Sequence, residues 1–239
     1  MDRYKHLYFW MIIPLIVGQV GIFSYYWPKV TSVYWEIHVH YWLVTTWYLL
    51  IVLQPYLAVK GNLAKHRTIG IFGILLAGGV IFSGITILDI PLKLVSKLDP
   101  LKAGPPAAFY YGTLVVELVL MLAFAYAVAK SIIHRKQLHE HAWWLICSAF
   151  YMMPPALGRG MITFWRNVLP ADGFSPLFPL VSTELIYLPL LLFFAYKFKQ
   201  LRHQATIIGI LLVLVRTLRF PIGSSETIQG ILEAAIKYQ

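Results

Sequence analysis

The feature that most constrains this chain is a succession of apolar blocks, each about 20 residues long, separated by short stretches that carry most of its charge. A helix rises about 1.5 Å per residue, so one block spans the roughly 30 Å of hydrocarbon in a bilayer. Main-chain N–H and C=O groups find no water there, and helices satisfy them internally. The blocks therefore predict an all-α fold, a polytopic transmembrane helical bundle of about seven spans in one integral membrane domain over 1–239. The spans fall at about 8–27, 38–59, 68–90, 107–129, 142–168, 178–196 and 205–220, with a mixed polar tail at 221–239 suited to a short surface helix. Composition agrees. Of 239 residues, 59% are hydrophobic and 13% charged, where a soluble domain carries roughly 25% charged residues.

The first block follows Arg3 and Lys5 and ends in Tyr25-Tyr26-Trp27-Pro28, an aromatic belt of the kind found at membrane interfaces. A secretory signal would have a shorter apolar core and a small-residue cleavage site, so this block reads as a retained span. Span three contains Gly70, Gly73, Gly78, Gly79 and Gly84. Small residues let helices approach closely in lipid, which predicts a central position for it. Pro154-Pro155 predicts a kink or break in span five. Over Pro91–Pro106, Leu94, Leu98 and Leu101 recur with helical spacing away from Lys93 and Lys97, predicting an interfacial helix.

The net charge of +10 sits between the apolar blocks. It points to a lipid bilayer as partner and away from nucleic acid, since no basic stripe could track phosphates. With seven spans, the amino terminus shares a side with Lys60, Lys65, Arg67, Lys130, Arg135, Lys136, Lys197, Lys199 and Arg202. That bias predicts the amino terminus inside and the carboxyl terminus outside. The single cysteine, Cys147, excludes an intrachain disulfide and a CxxC site.

Ionisable groups within spans are costly, which makes them the first functional candidates. On the predicted topology His40, Glu117, Arg159, Glu184 and Arg216 all fall in the outer half of the membrane. Two readings follow: an outer polar pocket for a ligand, metal or proton, or an ion-pair network that only locks helices together. Pro154-Pro155 beside Arg159 tilts the balance toward a pocket, because broken helices in membranes often border cavities. At the inner face, His66 opens span three in KHRTIG and His141 opens span five in HEHAWW. Imidazoles at matched depth on neighbouring helices are what haem or metal ligation requires, while interfacial contact with headgroups uses the same residues. His38 and His40, two positions apart, point about 200° apart on a helix and cannot share a ligand. No GxxxxGK[ST], HExxH, GxSxG or GxGxxG motif is present.

The stretch WYLLIVLQPYLAVKGNLAKHRTIG, with its Gln-Pro followed by His-Arg-x-x-Gly, and the later HEHAWWLICSAFYMMPPALGRGM resemble motifs of the bacterial membrane-protein family called domain of unknown function 2306. The resemblance covers about residues 36–166. It marks Gln54, His66, Arg67, Gly70, His141, Trp144 and Arg159 as motif elements. The chain departs from the pattern in having Leu145 after Trp144, and Leu157-Gly158-Arg159 in place of Leu-Arg. The resemblance implies a bacterial inner (plasma) membrane and names no activity. Three functions stay open: a haem- or metal-binding protein using His66 and His141, a transport or sensing module using the outer pocket, and an intramembrane lipid-modifying enzyme.

Overall fold

The computed structural model describes residues 2–95, 105–170 and 173–237. The chain is 85% helical and contains no strand among these residues. In chain order the helices are α1 (Leu7–Tyr26), α2 (Trp35–Val59), α3 (Leu63–Thr86), α4 (Ile90–Val95) and α5 (Ala107–Ile133). They continue as α6 (Leu138–Val168), α7 (Leu177–Lys197), α8 (Gln204–Thr217), α9 (Arg219–Gly223) and α10 (Glu226–Lys237). Among the described residues, five segments are long and apolar enough to cross a membrane: those built on α1, α2, α3, α5 and α7. The architecture is thus compatible with a multi-pass membrane protein.

Cross-chain contacts define two faces. Arg3 Nη1 donates to the Phe198 carbonyl (3.3 Å), and the Tyr4 and His139 rings lie 5.4 Å apart. These contacts place the amino terminus, the α5–α6 turn and the α7–α8 turn on one face, here called the amino-terminal face. The opposite face is marked by Tyr26 against His38 (2.6 Å) and by Trp165 Nε1 donating to Ser182 Oγ (2.9 Å).

The centre of the bundle is α6. Every residue from Ile146 to Tyr151 is at most 1% exposed, and a helix apolar all round belongs inside. It packs chiefly on α1, α5, α7 and α8. In lipid such packing rests on close van der Waals fit more than on removal from water. The fit is tightest at glycines. A Cβ on Gly160 would lie 1.8 Å from the Gly21 carbonyl oxygen, so α1 and α6 meet main chain to main chain. Gly223 of α9 meets α5 the same way, 1.8 Å from the Ala108 carbonyl oxygen.

Two sequence expectations change, and a third is met over the residues that are described. The glycine-rich α3 is peripheral, with Ile71, Phe72, Leu75 and Phe82 each at least 65% exposed. Gly73 and Gly79 face Leu50 and Leu43 of α2, and a Cβ on Gly78 would meet nothing within 4 Å. Gly84 meets Met121 of α5 as well as His40 of α2, so its small residues seat α2 and one end of α5 without making it central. Helix α6 runs unbroken through Pro154-Pro155. The interfacial helix expected over 91–106 begins as α4, and residues 96–104 lie outside the described residues. The carboxyl-terminal tail forms α9 and the strongly amphipathic α10.

Candidate functional site

The residues singled out from the sequence divide into three places. The first is a cavity of about 130 Å³ toward the opposite face, enclosed by α1, α2, α3, α5 and α6. Glu117 and Arg159 form an ion pair on its wall, Nη2 to Oε1 2.8 Å. Arg159 Nη1 also donates to the Pro155 carbonyl (3.2 Å), and the guanidinium sits 6.0 Å from the centre of the Tyr25 ring. A guanidinium has five N–H donors. With side-chain exposures of 26% for Arg159 and 12% for Glu117, polar capacity remains directed at the cavity. His40 also lines it, its Nδ1 3.0 Å from Ser83 Oγ.

A hydrogen-bonded file continues along this cavity. Tyr41 donates to Gln19 Oε1 (2.5 Å), and Gln19 Nε2 donates to Thr45 Oγ1 (3.1 Å). Tyr41 also stacks on Tyr26, ring centroids 4.0 Å apart, and Tyr26 holds His38. His38 and His40 thus engage different helices, as their spacing demands. Tyr41, Tyr48, Gln19 and Thr45 escaped the sequence reading, and Tyr25 figured there only as part of an aromatic belt. Gln19 and Thr45 were the visible signal, each a polar residue within an apolar block.

The second place is the Glu184–Arg216 pair between α7 and α8, which is not on the lining of that cavity. Arg216 Nη2 lies 3.0 Å from Glu184 Oε1. The pair is close in distance but poorly aligned. Both Glu184 oxygens, together with Nε and Nη1 of Arg216, lack a hydrogen bond among the described residues. Arg216 is only 2% exposed, and its guanidinium lies 5.9 Å from the Tyr187 ring centre. Depth along the sequence grouped these two residues with Glu117 and Arg159, but rotation about the helix axes sends them elsewhere.

The third place is a cavity of about 280 Å³ toward the amino-terminal face, lined by His66 and His141 with Tyr4, Lys5, Ile51 and Gln54 among others. Burial pushes the Tyr4 phenol above its ordinary pKa. The two imidazole rings are 6.4 Å apart and nearly perpendicular. Their tautomers follow from their partners, as an assignment from the hydrogen-bond network. Gln54 satisfies its surroundings when its amide nitrogen donates to His66 Nδ1 (2.5 Å) and its oxygen accepts from the Gly70 N–H (3.0 Å). The His66 Nδ1 contact with the Gln54 carbonyl is longer, 3.2 Å, so the amide contact decides. With the amide in that orientation, His66 carries its proton on Nε2. His141 Nδ1 lies 2.9 Å from the Ser131 carbonyl, which can only accept, and so His141 keeps a lone pair on Nε2. One ring offers a donor and the other an acceptor. Such a pair matches a hydroxyl or a water, which both donates and accepts. Among the described residues no group of three or more His, Cys, Asp or Glu is placed to hold a metal ion.

Of the remaining motif residues, Arg67 is exposed. Trp144 is buried between Tyr126 and His203, with its Nε1 unbonded among the described residues. No family model matches this chain, and no curated protein or solved structure matches it.

Proposed function

We propose that this protein is a seven-span membrane protein that binds a small amphipathic molecule in the Glu117–Arg159 cavity, as a transport or sensing module. The observation that carries the reading is that this ion pair lines a cavity instead of being sealed between helices. Binding sites of this kind combine apolar walls with a few convergent polar groups. The ligand's polar head meets the charge pair. Its apolar body lies against Tyr25, Tyr48, Met121 and Met152.

The seven crossings are the five long apolar helices together with α6, whose 31 residues exceed the bilayer requirement, and the shorter α8. Lys60, Lys65, Lys130, Lys136 and Arg202 favour the cytoplasm for the amino-terminal face, in a bacterial plasma membrane.

Native mass spectrometry of the detergent-purified protein tests the binding reading. A small-molecule adduct on the wild type that is lost in both Glu117→Gln and Arg159→Gln carries it. Identical spectra for all three proteins remove the binding reading and leave the pair as a helix lock.

A further inference from the structure

The two cavities lie in one seam. On α2, the lining residues Ile37, Tyr41, Tyr48, Ile51 and Ala58 follow one helical face from one cavity into the other. On α6, His141 and Leu145 continue in the same way to Met152 and Arg159. Between them stands a short buried plug. Tyr48, Ile51, Met11 and Ala149 are each at most 4% exposed. The Tyr48 hydroxyl donates to the Ala149 carbonyl (2.7 Å), and its ring packs on Gly18 of α1, 3.8 Å from where a Cβ would stand. On α6 the interval from Ile146 to Met152 is about 9 Å at 1.5 Å per residue.

We infer that the two cavities are the two ends of a single transmembrane path for a small amphipathic solute, closed at Tyr48. This rests on the binding reading above and selects transport over sensing. The solute leaves the Glu117–Arg159 pair, passes the plug and meets the donor of His66 and the acceptor of His141, which suit a hydroxyl or amide group. The plug is built to yield. Its bond ends on a main-chain carbonyl, so breaking it strands no buried charge. Pro154 and Pro155 have no N–H, which deprives the carbonyls of Phe150 and Tyr151 of their helical donors just beyond Ala149.

Thiol labelling tests the path without any ligand. In a Cys147→Ala background, Thr45→Cys places a thiol in one cavity and Ala58→Cys in the other. A membrane-impermeant cationic methanethiosulfonate reagent is then added to either side of sealed, oriented vesicles. Thr45→Cys is expected to react from one side and Ala58→Cys from the other. Adding Tyr48→Phe is expected to raise labelling of each thiol from its far side about fivefold, the population shift that loss of one neutral hydrogen bond allows. Tyr48→Ala should make each thiol reactive from both sides. Thiols inert from both sides, reaction of both thiols from the same side, or no effect of Tyr48→Phe overturns the path. A ligand adduct that persists while labelling fails sinks the path alone. Correct labelling without a charge-dependent adduct sinks the binding reading alone.

Discussion

Tyr48 donates its hydroxyl to the main-chain carbonyl of Ala149, and this bond ties α2 to α6 at the level where both cavities stop. One turn away, Ile51 already faces the histidine cavity. The bundle is therefore hollow toward both faces and solid over a short stretch of its middle.

The Glu117–Arg159 pair gives a graded prediction. Removing one partner of a buried pair leaves the other charge without compensation. Because Arg159 keeps some exposure, Glu117→Gln is expected to lower stability by about 1–3 kcal/mol, below the range for fully buried pairs. The Glu117→Gln/Arg159→Gln double variant is expected to recover much of that loss. Thermal unfolding in detergent, analysed as a double-mutant cycle, measures the coupling, and additive effects would refute it.

The glycine contacts predict opposite signs at two positions. Gly160→Ala drives a methyl into the Gly21 main chain and is expected to cost about 3 kcal/mol, the upper part of the overpacking range. Gly78→Ala meets open space on the exposed side of α3, where its better helix propensity adds roughly 0.5–1 kcal/mol. Comparing the two melting temperatures with wild type checks both signs at once.

The tautomer of His66 depends on Gln54. Gln54→Leu removes the amide donor at Nδ1, leaving the ring free to protonate Nδ1 and donate to the Gln54 carbonyl, which is already within 3.2 Å. Ring-nitrogen chemical shifts of selectively labelled histidine are expected to show a proton on Nε2 in wild type and on Nδ1 in the variant. The same protonation pattern in both proteins would contradict the assignment.

Helix α10 is held to α5 by Tyr111, whose hydroxyl donates to Glu233 Oε1 at 2.5 Å. A hydrogen bond to a carboxylate contributes roughly 1.5–3 kcal/mol, less where water competes. Tyr111→Phe is expected to speed amide hydrogen exchange across α10 by about tenfold while leaving α6 protected. Uniform exchange in the two proteins would show that α10 docks by other contacts.

Much of the fold was legible because hydropathy and helix length are one-dimensional. The predicted span over 107–129 starts where α5 starts, and that over 142–168 ends where α6 ends. The errors have physical causes. The helix containing span three starts at Leu63, not at residue 68, because the Asn62 side chain caps it by accepting from the Lys65 N–H, and polar residues can be helical outside lipid. Lateral arrangement was not legible. Glycines permit close approach but do not say from how many sides, which is why α3 reads as central and sits at the edge. Depth fixed the level of Glu117, Glu184, Arg159 and Arg216 but not which acid faces which arginine, since azimuth is set by packing. The proximity of His66 and His141 followed from their matched helix starts. Their unequal tautomers did not, because they depend on Gln54 and Ser131.

The main-chain contact of Gly21 with Gly160 has a mechanical consequence. Two helices in backbone contact cannot slide or separate without losing that fit, so α1 and α6 behave as a fixed jaw. Helix α2 holds α6 through side chains, notably those of Tyr48 and Trp47, and has α3 packed along its far side. If the seam opens, the α2–α3 pair is the moving jaw, with the backbone contact at Gly21 and Gly160 as its anvil.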